Sequence, residues 1–214
     1  MVTRCNMKIS ESTIERLVHY HSVASQLMKD GQEFVSSREI ADALDIKDSQ
    51  VRKDLSYFGD FGRRGVGYEA RKLCEYIDKI LGTPHVWKVA LAGVGHLGTA
   101  LIGHSDFYSG KFSVEAAFDV DPNKIGTDYY GIPCYSDDRM PEIMREKKIE
   151  ILILAVPESA AQSCVDIACS SETLRGVLSF ASSAVSVPKG IMFHRVDILA
   201  AMEKMFFFLK DKAK

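Results

Sequence analysis

The hydrophobic pattern of this chain changes period once along its length. From Ser10 to about Leu81 the apolar positions recur at helical spacing. Ile14, Leu17, Val18, Ala24, Leu27 and Met28 keep a three-four rhythm, which predicts a helix opened by Ser10 or Ser12 and ended at Asp30-Gly31. "VSSREIADAL" predicts a second helix, with Ser36 as its cap and Glu39 placed to close a capping box. "DIKDSQVRKDLSYF" predicts a third after a turn of a few residues, and three short helices with that tight second turn describe a helix-turn-helix. Beyond Trp87 the pattern becomes short apolar runs separated by helical segments. "KVALAGV", "SVEAAFDV", "EILILAVP" and "RGVLSFA" read as buried strands, the pattern of a parallel sheet in βαβ connection. The two regimes meet near residues 82–88, where Gly82 and Pro84 stop the preceding helix. The tail "VDILAAMEKMFFFLK" is apolar nearly all round and is therefore expected to be buried, over its own sheet or in a partner subunit.

Composition narrows the function classes. With 214 residues and 46% hydrophobic content the chain can bury a core in one large or two small domains. A formal net charge of −2 excludes a protein that is basic throughout, so contact with nucleic acid has to come from a local patch. Residues 47–72 hold one: seven basic side chains (Lys47, Arg52, Lys53, Arg63, Arg64, Arg71, Lys72) against four acidic (Asp48, Asp54, Asp60, Glu69). Five cysteines (Cys5, Cys74, Cys134, Cys164, Cys169) without a CxxC pair argue against a disulfide framework or a thiolate zinc site. His19 and His21, two apart, point to different sides of a helix and make a poor metal pair, so no metal is expected. The opening "MVTRCNMKIS" lacks the apolar run of a signal peptide, and stretches such as "ILILAV" are too short to span a bilayer. A soluble cytoplasmic protein is expected, with Met7 as an alternative start.

The third predicted helix carries the chemistry of a DNA reader. In a helix-turn-helix the second helix of the pair enters the major groove. Its exposed face here would present Ser49, Gln50, Arg52, Lys53, Ser56 and Tyr57, while Val51, Leu55 and Phe58 pack inward. Arginine pairs with guanine in bidentate fashion, glutamine with adenine, and lysine or tyrosine holds phosphates. The following "GDFGRRGVGY" alternates glycines with Arg63 and Arg64, as expected of a β-hairpin wing along the DNA backbone or minor groove.

The second regime opens on "GVGHLG", residues Gly93, Val94, Gly95, His96, Leu97 and Gly98, between a strand and a helix. Glycines at that spacing allow a tight turn and a close approach of backbone to a pyrophosphate at a helix N-terminus. "AAFDVDP" then ends a second strand in Asp119, the place from which a Rossmann fold hydrogen-bonds the adenine ribose, with Asp121 as the fallback. No arginine directly follows Asp119, which favours NAD over NADP. The remaining length completes a Rossmann sheet and leaves no separate substrate domain, and no proton-transfer residue is evident. A domain that senses the dinucleotide therefore fits better than an enzyme, with a small NAD-dependent oxidoreductase as the alternative. A helix-turn-helix reading two half-sites needs a two-fold dimer.

With "QVRKDLSYFGDFGRRGVGY", "GVGHLG", "FDVDP", "AVPESAAQ" and "GVLSFA" in this order, the sequence resembles the Rex family of redox-sensing transcriptional repressors over nearly its whole length. The resemblance implies a winged-helix domain over residues 1–84, an NAD(H)-binding Rossmann domain over 85–195 and a swapped dimerisation helix over 196–214. It implies a homodimer on double-stranded operator DNA, released when NADH replaces NAD⁺. It puts Gln50, Arg52, Lys53, Ser56 and Tyr57 in the recognition helix and Arg63 and Arg64 in the wing. It also puts Gly93 to Gly98 at the pyrophosphate, Asp119 at the ribose, and Val156, Pro157, Phe180 and Ala181 beside the nicotinamide. The sequence departs from the family in three places. Ser22 stands where many members carry an arginine that pairs with the aspartate retained here as Asp197. His104 stands in place of a tyrosine that competes for that aspartate, and "SFAS" replaces "NFAP". A His104–Asp197 pair would make the switch depend on pH near histidine's ordinary pKa of about 6.5. A paralogue that keeps NAD(H) structurally without a redox response is the further alternative.

Overall fold

In the computed structural model, which describes residues 9–59, 62–63, 65–82, 85–104 and 111–212, the chain divides between His85 and Val86 into two units. Arg64, Pro84 and the alternative start Met7 lie outside the described residues.

The N-terminal unit begins with helix α1 (Glu11–Lys29), whose N-cap is Ser10, its side chain accepting from the Thr13 amide. Leu17, Tyr20 and Ala24 are its buried positions, a three-four stripe. Val18, grouped with that stripe on sequence, is instead 49% exposed: it lies one residue, about 100° of helix, past Leu17 and so off the line that Leu17, Tyr20 and Ala24 bury. Strand β1 (Phe34–Val35) leads to α2 (Ser37–Leu44), and the Ser36–Glu39 capping box forms with both reciprocal bonds. Asp45 takes a left-handed conformation (φ 53°) that ends α2, and α3 (Asp48–Ser56) follows. Strand β2 (Tyr68–Glu69) pairs antiparallel with β1, and α4 (Ala70–Leu81) packs its Leu73, Cys74 and Ile77 into the same core as Leu17, Val51 and Leu55. This is a winged helix-turn-helix.

The second unit is a Rossmann sheet. Strands β3 (Trp87–Ala92), β4 (Phe112–Asp119), β5 (Asp128–Tyr129), β6 (Ile132–Ser136), β7 (Ile151–Leu154), β8 (Gly176–Ser179) and β9 (Met192–Arg195) lie in the order β5-β6-β4-β3-β7-β8-β9. All pairs are parallel except β5 with β6. Alternate side chains serve two cores, as the period of two requires. Ala90, Ala92, Phe118, Leu152 and Leu154 face helices α6 (Met140–Lys147) and α7 (Glu158–Cys169), while Val89, Leu91, Ala117 and Ile153 face α5 (His96–Gly103). The α5 side is the less completely covered, with Leu101, Phe112, Val114, Leu178 and Phe180 only half-buried around an apolar cavity of about 100 Å³.

Two covers were expected for the C-terminal helix α8 (Ile198–Lys212), its own sheet or a partner subunit, and the first is absent. Its apolar side chains are not buried over the sheet of their own subunit: Ile198, Leu199, Met202, Met205, Phe206, Phe207, Phe208 and Leu209 are each between 43% and 66% exposed. The all-round apolar pattern identifies a helix that needs a covering surface, and the described residues of its own unit do not supply it.

Candidate functional site

The exposed face of α3 carries Ser49, Arg52, Lys53, Ser56 and Tyr57, as the helical phase requires. Arg52 rests on Asp48 at 2.6 Å and on the Ser37 hydroxyl at 3.1 Å, both at the surface, so its guanidinium can exchange these partners for another. Next to α3, Arg63 and Gly67 form an antiparallel bridge closed by amide–carbonyl bonds of 2.8 and 3.0 Å, the tip of the predicted wing. Gly67 has a φ of 105°, and a Cβ there would fall 2.6 Å from the Val35 carbonyl oxygen, so the wing can lie against β1 only with glycine at this point. A groove of about 640 Å³ between α3 and the wing is lined by Arg52, Lys53, Ser56, Arg63 and Tyr68 among others.

Gln50 differs from its expected neighbours. Its amide donates to Asp54 Oδ1 at 2.9 Å, and Asp54 is a buried carboxylate, 5% exposed, that also accepts from Arg16 and Tyr20 of α1. Burial pushes the Asp54 carboxyl up, but the hydrogen bonds from Arg16, Tyr20 and Gln50 and the Arg16 charge more than offset this and hold it below the usual carboxylate range. Sequence reasoning counted Asp54 only as an acidic residue in the patch. The available signal was its phase, between the inward positions Val51 and Leu55.

In the second unit the chain builds outward from β3 through β4 to β6, then crosses back to place β7 on the other side of β3, which makes the carboxyl end of β3 the topological switch point where ligands of such sheets bind. The glycine turn lies there. Gly93 has a φ of 91°, and a Cβ on it would come within 2.5 Å of the Ala155 carbonyl oxygen. A Cβ on Gly98 would drive into the Gly93 carbonyl oxygen, so the third glycine lets α5 close on the strand. At Gly95, the N-cap of α5, an added Cβ meets no described group within 4 Å, so this side of the turn is open. His96 and Leu97, the first two residues of α5, are exposed, and Val94 is buried.

Asp119 ends β4 with 8% exposure. It accepts from the Val94 amide at 2.8 Å, the Asp121 amide at 2.9 Å and the Lys124 ammonium at 2.9 Å. Burial raises its carboxyl, and these donors together lower it further than burial raises it. The carboxylate thus stays ionised while it ties the glycine turn to the β4 end. Lys124, with Tyr129 and Tyr130, lines a groove of about 750 Å³ that starts at Val94–His96. None of the three was foreseen, because a contact across a Pro-containing turn leaves no periodic trace.

The other residues expected around the nicotinamide lie on the same edge of the sheet. Register pairs Ala92 with Leu154 and Leu154 with Ser179, so Val156–Pro157 and Phe180–Ala181 leave adjacent strands side by side. Val156 and Pro157 form the turn into α7; Ala181 is buried with its amide on the Ser179 hydroxyl, and the Phe180 ring lines the apolar cavity. The three switch residues belong to different elements. Ser22 is exposed on α1 of the first unit, and His104 follows α5 with Nδ1 2.9 Å from the Ala100 carbonyl oxygen. Asp197 caps α8 through the Ala200 amide at 2.8 Å and pairs with Arg195 at 2.9 Å. Arg195, also unforeseen, reaches the Ser182 carbonyl at 3.1 Å, so one guanidinium joins the β8 exit to the α8 cap.

Among the described residues no group of three or more potential metal ligands clusters, and no helix is long and apolar enough to cross a membrane.

Comparison with known proteins agrees with both units. The family described as "Putative DNA-binding protein N-terminus" matches residues 8–56, and the CoA binding domain family matches residues 85–183. A redox-sensing transcriptional repressor Rex from Listeria welshimeri is 37% identical over 204 residues, covering 95% of this chain and 94% of the relative. One from Pelotomaculum thermopropionicum is 39% identical over 206 residues, covering 96% of each. Among solved structures, RSP in complex with NAD⁺ and operator DNA superposes with a TM-score of 0.88 at 26% identity, covering 97% of this chain and 95% of that one. RSP described as a Rex-family repressor gives 0.87 at 25% identity and 97% coverage of both. With a winged helix-turn-helix, a glycine turn at the switch point of a Rossmann sheet, and full-length relatives at this identity, the chain belongs to the Rex family of redox-sensing transcriptional repressors.

Proposed function

We propose that this protein is a homodimeric repressor that binds operator DNA through α3 and the wing, holds NAD(H) at the β3–α5 turn, and releases DNA when NADH binds. It acts as a sensor and not as a catalyst. The observation that carries the dinucleotide reading is the pair formed by Gly95 and Asp119. The first leaves space where a pyrophosphate would approach the helix N-terminus, and the second is an ionised, nearly buried carboxylate bonded to the same turn.

The redox preference has a physical origin. Oxidised nicotinamide carries a positive charge that the reduced ring lacks, so a dry apolar pocket disfavours NAD⁺ by the cost of burying an unpaired charge. Preference alone moves nothing: NADH shifts the dimer only through its differential affinity for the DNA-releasing arrangement. Val156 and Phe180, apolar and at adjacent strand exits, are the residues we assign to that pocket.

The homodimer reading is supported by two incomplete surfaces, the bare apolar α8 and the thinly covered α5 side of the sheet. We assign α8 of each subunit to its partner. A repressor that holds dinucleotide without a redox response is the second reading, favoured by one observation: Arg195 already neutralises Asp197 within its own chain.

Fluorescence anisotropy of a labelled operator-like duplex at fixed salt, titrated with NADH and then NAD⁺, separates the two. Release by NADH alone establishes the sensor; tight binding indifferent to both nucleotides favours the structural-cofactor reading. In the same assay Arg52→Ala is expected to cost about 1–3 kcal/mol at a single base pair, and Arg63→Ala to weaken all duplexes alike and lower the salt slope by about one. Uniform weakening by both would demote Arg52 to a backbone contact.

A further inference from the structure

The buried carboxylate of α3 has more donors than a surface helix needs. Arg16 Nε donates to Asp54 Oδ2 at 2.6 Å and Arg16 Nη2 to Oδ1 at 3.0 Å, a bidentate pair. The Tyr20 hydroxyl donates to Oδ2 at 2.8 Å, and Gln50 Nε2 to Oδ1 at 2.9 Å. Two donors each on two oxygens saturate an ionised carboxylate. Arg16 and Tyr20 lie one turn apart on α1, Gln50 and Asp54 one turn apart on α3, so the network clamps two helices at one level.

Stability is a poor explanation for this arrangement. Desolvating an ion pair roughly cancels its Coulombic gain, and an apolar pair of equal volume usually serves as well. What directional bonds add is geometry. A roll of α3 by about 20° would carry side-chain tips at a radius of ~5 Å through about 2 Å, far outside the tolerance of a bidentate contact to a base edge. The three bonds that reach Asp54 from Arg16 and Tyr20 of α1 resist that roll, with Gln50 holding the carboxylate from its own helix, whereas Val51 and Leu55 in an apolar core tolerate it.

We propose that Asp54, held by Arg16 and Tyr20, is a positioning residue for operator recognition that sets the roll of α3, and that Gln50 serves as its fourth donor and reads no base. This rests on α3 being the recognition helix. It reverses the reading of Gln50 from the sequence, in which glutamine on that helix pairs with adenine.

The test uses full-length protein, a duplex selected by the wild type from a random pool, a panel of its single base-pair variants and an unrelated duplex, all at fixed salt. Asp54→Asn is expected to lower the ratio of specific to non-specific affinity by about tenfold or more, the scale of a lost base contact, with the salt slope unchanged. Gln50→Ala is expected to weaken binding by one common factor across the panel, leaving the mismatch profile intact. An unchanged specificity ratio in a folded Asp54→Asn protein overturns the positioning role, and lost discrimination at one base pair in Gln50→Ala overturns the assignment of Gln50. Should Asp54→Asn fail to fold, Arg16→Lys, which keeps the charge and removes the bidentate fork, takes its place with the same criteria. A wild type that selects no duplex would instead refute the repressor reading itself.

Discussion

At the scale of single residues, the glycines of the β3–α5 turn separate what the protein needs from what its ligand needs. Gly98 is close-packed against the Gly93 carbonyl, so Gly98→Ala must displace backbone, and a loss of about 1–3 kcal/mol of stability is expected from thermal unfolding without any ligand. Gly95 has an ordinary extended backbone and open space where its Cβ would go, so Gly95→Ala should melt like the wild type yet bind NADH at least about tenfold more weakly by fluorescence titration. Equal NADH affinity in Gly95→Ala would move the pyrophosphate elsewhere. The buried acids make a second prediction. Asp137 has a buried Oδ1 with no hydrogen-bond partner, and burial, with Asp119 and Asp138 nearby, pushes its carboxyl up. An acid whose folded pKa is raised penalises the native state above its unfolded value of about 3.9 and is neutral in effect below it. Asp137→Asn should therefore raise the melting temperature at pH 7, with the difference vanishing as pH falls toward 3. Asp54 and Asp119, both lowered, act in the opposite sense, so the stability they add is present above about pH 4 and is lost as pH falls through their folded values. None of these charge environments was legible in the sequence. Arg16 and Tyr20 donate to Asp54 from a helix 34 to 38 residues away, and Lys124 reaches Asp119 around a turn.

At the scale of elements, legibility followed burial. β3, β4, β7 and β8 hold the central buried positions of the sheet and carry short apolar runs at 89–92, 116–118, 151–154 and 177–178, which sequence reading finds without a partner strand. β6 was missed because only Cys134 is fully buried among its five residues and Pro133 interrupts the run. β9, "MFHR", forms the sheet edge with Met192 73% exposed, and nothing in its polarity marks it as a strand. The helix caps at Ser10 and Ser36 were legible because capping is a local transaction between residues three apart. The link from Ser182 through Arg195 to Asp197 was not, since it depends on β9 lying beside β8 with Ser179 opposite Arg195. That register brings the exit of β8 within one guanidinium of the α8 cap.

At the scale of the whole molecule, the proposed assembly rests on α8. Eight large apolar side chains, each 43% exposed or more, form a helix that no lone chain in water would leave bare, since full burial of each contributes about 1.5–3 kcal/mol. The α5 side of the sheet offers a matching surface, with Leu101, Phe112, Val114, Leu178 and Phe180 half-buried beside a cavity with room for part of another side chain. If each subunit fills its partner's surface, replacing Phe206 and Phe207 by Glu should leave both units folded by circular dichroism and convert a dimer to a monomer in sedimentation velocity. Operator affinity should then fall by about 10²–10⁴-fold, because the second half-site no longer benefits from the effective concentration that the dimer provides. Affinity for a single half-site should be unchanged, since α3 and the wing are untouched. A variant that stays dimeric with full operator affinity would return α8 to its own subunit and require another surface to bring two recognition helices onto one duplex.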